Sequence, residues 1–149
     1  MSFQQAQTAL RKGLFACLAA DGTLTGLLGA GRLFDLAPRG QSLPYLVLRA
    51  VDTKPLLSLA EDGLEHALKL AVFSRAPNRD EAAEAAGRAA DVLIHGPVPI
   101  AGYRLINLTI GAIASHVLKD GRGFQAETAI RAVTEPVTDQ GNQPSSSSR

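Results

Sequence analysis

A chain of 149 residues with a formal charge of +1 has the length of one ordinary domain and no global attraction for nucleic acid or an anionic membrane. Hydrophobic residues make up 46% and charged residues 19%, but aromatics are only 5% and Trp is absent, so the core is built from Leu, Ile, Val and Ala. The single cysteine, Cys17, excludes an internal disulfide framework and a cysteine-rich zinc site, and it suits a reducing compartment.

From Gln4 to Ala20, Ala6, Leu10, Leu14, Cys17 and Leu18 recur at spacings of three and four, which predicts an amphipathic helix ended by Asp21-Gly22. A short helical or irregular piece covers Thr23 to Leu28, and Arg32 to Asp35 suits a brief edge strand. Pro38, Gly40 and Pro44 mark a loop. Tyr45 to Asp52 and Leu64 to Arg75 read as strands. In the second, Leu64, Leu68, Leu70 and Val72 share one face while Glu65 and Lys69 fall on the other. The two are expected to pair antiparallel across a long connection, Thr53 to Gly63.

Asn78 with Glu81 three residues on predicts a capped helix start, and Asp80 and Glu81 suit the positive end of the helix dipole. Ala82, Ala85, Ala86, Ala89 and Ala90, with Val92 and Leu93, give a small-residue face that lets the helix lie close to a sheet. Glu84 and Arg88 are spaced to pair on the outer face, and Gly96-Pro97 ends the helix. Tyr103 to Leu118 and Phe124 to Glu135 then read as a long hairpin turning near Asp120-Gly121 or Gly123. Ile106, Leu108, Ile110, Ala112 and Ala114 are expected on one face of its first strand, and Phe124, Ala126, Ile130 and Ala132 on one face of its second. Gln125, Glu127, Arg131 and Glu135 take the opposite face of the second strand. The expected organisation is one α+β domain over residues 1–135 and a disordered, serine-rich tail over 136–149.

No stretch approaches the ~18 apolar residues that cross a bilayer, and Met1-Ser2-Phe3-Gln4-Gln5 lacks a basic region followed by an apolar one. The expectation is cytoplasmic synthesis without an export signal or membrane anchor. His66, His95 and His116 form no metal-binding spacing, and His66 falls on the apolar face of its strand. Ser115 and His116 are strand neighbours and point to opposite faces, so they cannot pair as nucleophile and base. Cys17 lies on a helix's apolar stripe as a small core residue. The glycines at 26, 29 and 31 match neither a dinucleotide fingerprint nor a P-loop, and Glu61 and Asp62 are adjacent loop acids without a catalytic role. No cofactor, metal or enzymatic activity is expected. The apolar connection with Leu56, Leu57 and Leu59 either folds over its own sheet or reaches a neighbouring copy.

Taken in order, the N-terminal helix, Arg32-Leu33-Phe34, Leu43-Pro44-Tyr45, Val72-Phe73-Ser74-Arg75, the alanine-rich helix and the closing hairpin resemble the tail-terminator, or tail-completion, proteins of long-tailed phages and gene transfer agents. The resemblance covers about residues 5 to 133. It implies a small mixed, mainly antiparallel sheet with two main helices on one face. It also implies a six-membered ring at the head-proximal end of the tail tube, which stops tube growth and offers a surface for joining the head. The implied partners are five further copies, the major tail tube protein, and a head-tail connector or stopper protein, with DNA only in transit through the ring lumen. Exposure makes the leucine connection, Arg75 and Arg79 at the strand-to-helix junction, and the turn at Arg122 the expected subunit or tube contacts. A neck adaptor between connector and tail, and a small-ligand regulatory module, are the alternatives.

Overall fold

The alternating and helical patterns assemble into two layers, described by a computed structural model over residues 3–56 and 63–137. The elements are α1 (Phe3–Ala19), α2 (Gly22–Leu28), β1 (Leu33–Phe34), β2 (Tyr45–Pro55), β3 (Leu64–Ser74), α3 (Asp80–His95), β4 (Tyr103–Ile110), β5 (Ala114–Val117) and β6 (Phe124–Pro136). The sheet runs β1-β2-β3-β6-β4, and β5 also pairs with β6. Its pairs are antiparallel except β1 with β2, so the fold is α+β with a mixed, mainly antiparallel sheet.

All the helices lie on one face. α1 covers β2, while α3 covers β3, β6 and β4. The period of two in β3 sends Leu64, His66, Leu68, Leu70 and Val72 into the core, against Leu10, Leu14 and Leu18 of α1 and the alanine face of α3. Small side chains at Ala82, Ala85, Ala86 and Ala89, each fully buried, bring the α3 backbone close to the strands. Gly13 serves the same closeness on α1, because a Cβ there would stand 2.0 Å from the Pro99 carbonyl oxygen. The chain leaving α3 therefore crosses α1 only over a glycine.

Four local expectations are corrected by longer-range contacts. β2 runs on through Pro55 into the supposed connection, while β3 starts at Leu64 as expected, and the Leu56 amide donates to the Gly63 carbonyl at 2.9 Å; residues 57–62, which include Leu57 and Leu59, lie outside the described residues. The capping box at Asn78 does not form: Asn78 Oδ1 accepts from the Asp80 amide at 2.9 Å, and Glu81 instead accepts from the Ser74 hydroxyl. Arg88 turns away from Glu84 to Asp21, whose carboxylate also accepts from the Leu24 amide and caps α2. The closing hairpin is broken at 111–113 into β4 and β5, and a register slip between Leu105 and Asn107 moves Ile106 out of the apolar row. Leu105, Leu108 and Ile110 pack on the core, whereas Ile106 is exposed. The tail from residue 138 also lies outside the described residues.

Candidate functional site

Three of the expected contact residues meet at one end of the sheet. Where β3 stops, the Ser74 hydroxyl donates to Glu81 and accepts from the Ala76 amide, which fixes the turn into α3. Gly123 at the start of β6 lies so close that a Cβ would be 2.1 Å from the Ser74 carbonyl oxygen. Across this junction, Arg75 Nη1 donates to Asp120 Oδ2 at 3.0 Å and to the Arg122 carbonyl at 2.9 Å. The Arg122 amide donates to Asp120 Oδ1 at 2.9 Å, and this bond first, then Arg75, holds the Asp120 carboxyl below the usual carboxylate range. The Arg79 guanidinium lies 5.0 Å from the centre of the Phe124 ring and donates to the Ser115 carbonyl at 3.3 Å. Arg75, Arg79 and Arg122 thus form one exposed basic rim with rigid backbone beneath it.

Leu56 stands at the other end. It follows Pro55, which pairs with Leu64 at the far terminus of the 11-residue β3. At ~3.3 Å per residue the two ends are separated by roughly 33 Å, so Leu56 and the arginine rim belong to different surfaces. Leu57 and Leu59 lie outside the described residues.

The sheet face away from the helices carries charges that pair across strands. Glu65 meets Lys54 at 3.7 Å and also pairs with Arg131; Glu127 meets Lys69 at 3.2 Å and His116 at 2.8 Å; Glu135 accepts from Arg104. The His116 and Lys69 contacts lower the Glu127 carboxyl, His116 having the larger effect. Polar alternation in β3 and β6 shows that these residues share a face. Their partners follow only from register, which no local pattern states. Beside this lattice, a groove of about 440 Å³ is floored by Tyr45, Val47, Ala71 and Phe73, walled by Arg49 and Lys69, and rimmed by Leu36. Tyr45 anchors the groove, its ring centre 5.2 Å from that of Phe73 and 5.9 Å from that of Phe34.

The groups with chemical potential are separated. His66 is sealed in the core between Thr53 and Thr134, His95 Nδ1 lies 2.8 Å from the Asp91 carbonyl, and His116 is on the open face. Burial raises the Cys17 thiol, whose Sγ is 3.6 Å from the Val92 carbonyl. Among the described residues, no three His, Cys, Asp or Glu side chains gather as a metal site, and no helix is long and apolar enough to cross a membrane. The arrangement offers surfaces for contact.

A family model described as tail completion protein gp17 matches residues 12–135. No curated protein sequence matches the chain. Among solved structures, one chain of a virion of a native gene transfer agent particle superposes with a TM-score of 0.76 at 22% identity, covering 87% of this chain and 97% of that one. The gp17 protein of bacteriophage SPP1 superposes with a TM-score of 0.57 at 16% identity, covering 90% and 92%. At these identities the superpositions establish a shared fold.

Proposed function

The chain belongs to the tail completion protein gp17 family, and from that premise we propose that it caps the head-proximal end of a tail tube as a ring of six copies. Its role is structural, and no bond is made or broken. The observation that carries this reading is the polarity of the sheet: the Arg75, Arg79 and Arg122 rim at one end, and Leu56 leading into an apolar segment at the other. A cap needs two unlike faces, one that matches the tube and one that does not repeat it. A subunit whose strand ends differ this much supplies both, and closure of the ring limits an assembly that would otherwise keep growing.

The end at Leu56 suits a dry, permanent contact with the tube protein, and the chain that follows it is leucine-rich in sequence. The exposed arginines suit the joint to a head-tail connector or stopper protein, where a rim of charge favours orientation and rate of docking. DNA passing through the lumen would meet the open sheet face, where Glu65 neutralises Lys54 and Arg131, Glu127 neutralises Lys69, and Glu135 neutralises Arg104, with Arg49 outside these pairs. Without several free cations, the face lacks the phosphate contacts that produce tight, salt-dependent binding. Particles of this kind assemble in a host cytoplasm.

Electron microscopy of particles assembled without this gene tests the reading. Overlong or irregular tubes beside unattached heads are the expected outcome. Tubes of normal length that only lack heads would turn the assignment to a neck adaptor, and normal particles would overturn both.

A further inference from the structure

The three arginines of the rim are not equivalent. Arg75 Nη1 serves both the Asp120 carboxylate and the Arg122 carbonyl, so its charge is matched within the chain. Arg122 makes no side-chain hydrogen bond among the described residues and stands between Gly121 and Gly123, both at positive φ. Arg79 differs from both, because it is fixed at its two ends. Its backbone opens α3, where its carbonyl accepts from the Ala83 amide at 3.0 Å. Its guanidinium lies over the Phe124 ring, and Nη1 donates to the Ser115 carbonyl at 3.3 Å and reaches the Ser115 hydroxyl at 3.5 Å. The ring beneath is itself held, since Phe124 packs on the core and pairs with Ser74 on one side and Val117 on the other.

The remaining nitrogens of Arg79, Nε and Nη2, make no hydrogen bond among the described residues, and the residue is exposed. They form the edge of the guanidinium that takes a carboxylate with two bonds, as Nε and Nη2 of Arg88 take the two oxygens of Asp21. A guanidinium already held by a ring and a hydrogen bond has little rotamer freedom left to lose on binding, which suits an interface anchor.

The surroundings favour a protein carboxylate over the phosphates of DNA. Residues 74–80 and 117–124 hold four cations, Arg75, Arg79, Lys119 and Arg122, interleaved with two acids, Asp80 and Asp120. A duplex laid across this end would meet the acids with the cations and neutralise few phosphates. Val117, directly opposite Phe124 in the ladder, is 52% exposed. An arginine on an aromatic ring beside exposed aliphatic surface is the composition of a protein contact.

We propose that Arg79 is the anchor of the head-side contact and receives, on Nε and Nη2, an Asp or Glu carboxylate of the protein docked there. Arg75 holds the turns beside it and makes no contact of its own. This rests on the reading of this end of the sheet as head-facing, and adds the chemistry of the partner, which that reading leaves open.

The test mixes purified heads with tails assembled with wild-type protein, Arg79→Lys or Arg75→Ala, and counts joined particles and tube lengths by microscopy. Lys keeps the charge and loses the fork, so Arg79→Lys is expected to lower joining about tenfold with tube length and melting temperature nearly unchanged. Arg75→Ala is expected to join within about threefold of wild type. Poly-glutamate is expected to slow wild-type joining more than duplex DNA does at equal charge concentration. Joining by Arg79→Lys at the wild-type level would overturn the anchor and leave the capping ring standing. An equal loss in both variants would assign the contact to the summed charge of the rim and overturn the single anchor. Stronger competition by DNA would assign the open edge to phosphate and overturn the carboxylate. Overlong tubes with a folded Arg79→Lys protein would place Arg79 against the tube and overturn the head-facing reading as well.

Discussion

Arg88 reaches from the middle of α3 to both carboxylate oxygens of Asp21, at 2.6 and 2.9 Å, while that carboxylate caps α2 through the Leu24 amide at 2.8 Å. One acid at the end of α1 thereby fixes all three helices. Arg88 first, and then the Leu24 amide, hold the Asp21 carboxyl below its usual range. A carboxyl lowered on folding stabilises the fold above its unfolded value of about 4, and that contribution is lost as pH falls through the folded value. Asp21→Asn keeps a capping oxygen and removes the charge. Its melting temperature is expected to lie below wild type at pH 7, with the gap closing as pH falls past the unfolded value and through the lowered folded one. A gap that stays constant with pH would assign the whole effect to geometry.

His66 gives the opposite chemical case. It is 1% exposed, with Nδ1 at 2.9 Å from the Thr53 hydroxyl and Nε2 at 2.8 Å from that of Thr134, and Gln7 donates to the same Thr53 oxygen. Two hydroxyls satisfy a neutral ring, which has one donor and one acceptor. Burial lowers its pKa to about 4. The unfolded ring takes up its proton near pH 6.5, so stability is complete above that pH and is lost on the way down to about 4, by roughly 3 kcal/mol in all. Urea unfolding at pH 7 and pH 4.5 reads this loss directly. His66→Gln, which retains polar partners without a titrating ring, is expected to be less stable at pH 7 but nearly flat across the interval. A wild-type slope that survives in the variant would place the titration elsewhere.

These two residues mark what was legible in the chain. The strand of Leu64, Leu68, Leu70 and Val72 identifies its own inner face by alternation, and the same alternation places His66 inside. The alanine face of α3 is equally plain at a period of 3.6. Local spacing failed where a distant partner competed: Glu84 is the helical neighbour of Arg88, yet Asp21, 67 residues away, binds it. It failed again at Ile106, because a bulge between Leu105 and Asn107 breaks the alternation there and puts Leu105 in its place on the core, while Leu108 and Ile110 keep the expected face. The arginine rim was readable as exposed positions, but its convergence on Asp120 depends on β3 and β6 pairing in one register.

That rim separates stability from assembly. Arg75 is half exposed, and its contacts to Asp120 and Arg122 tie two turns at the surface. Arg75→Ala together with Arg79→Ala is expected to shift the melting temperature by no more than about 4 °C, since exposed pairs contribute little. Head attachment is expected to fall several-fold, while tube length stays normal. Counting headless tails by microscopy checks this. A normal count of joined particles would remove the rim from the head-facing surface.

The open sheet face makes the last prediction, because its pairing is more complete than folding alone requires. Exposed cross-strand ion pairs add little stability, yet Lys69 and His116 share Glu127, and Arg104 is held by Glu135. Each carboxylate withholds cations from any passing polyanion. Glu127→Gln with Glu135→Gln keeps the size of both side chains and one acceptor oxygen on each, and frees the charges of Lys69 and Arg104 in each subunit. At ~50 mM salt, duplex DNA binding is expected to appear for the variant and to be absent for the wild-type protein, with the variant's log K falling against log salt at a slope of about −2 per bound subunit. In particles carrying the variant, DNA ejection is expected to slow, because a face that grips phosphates resists sliding. Equal binding by the two proteins would mean that the carboxylates do not insulate this face, and the sheet would then have no special relation to the DNA path.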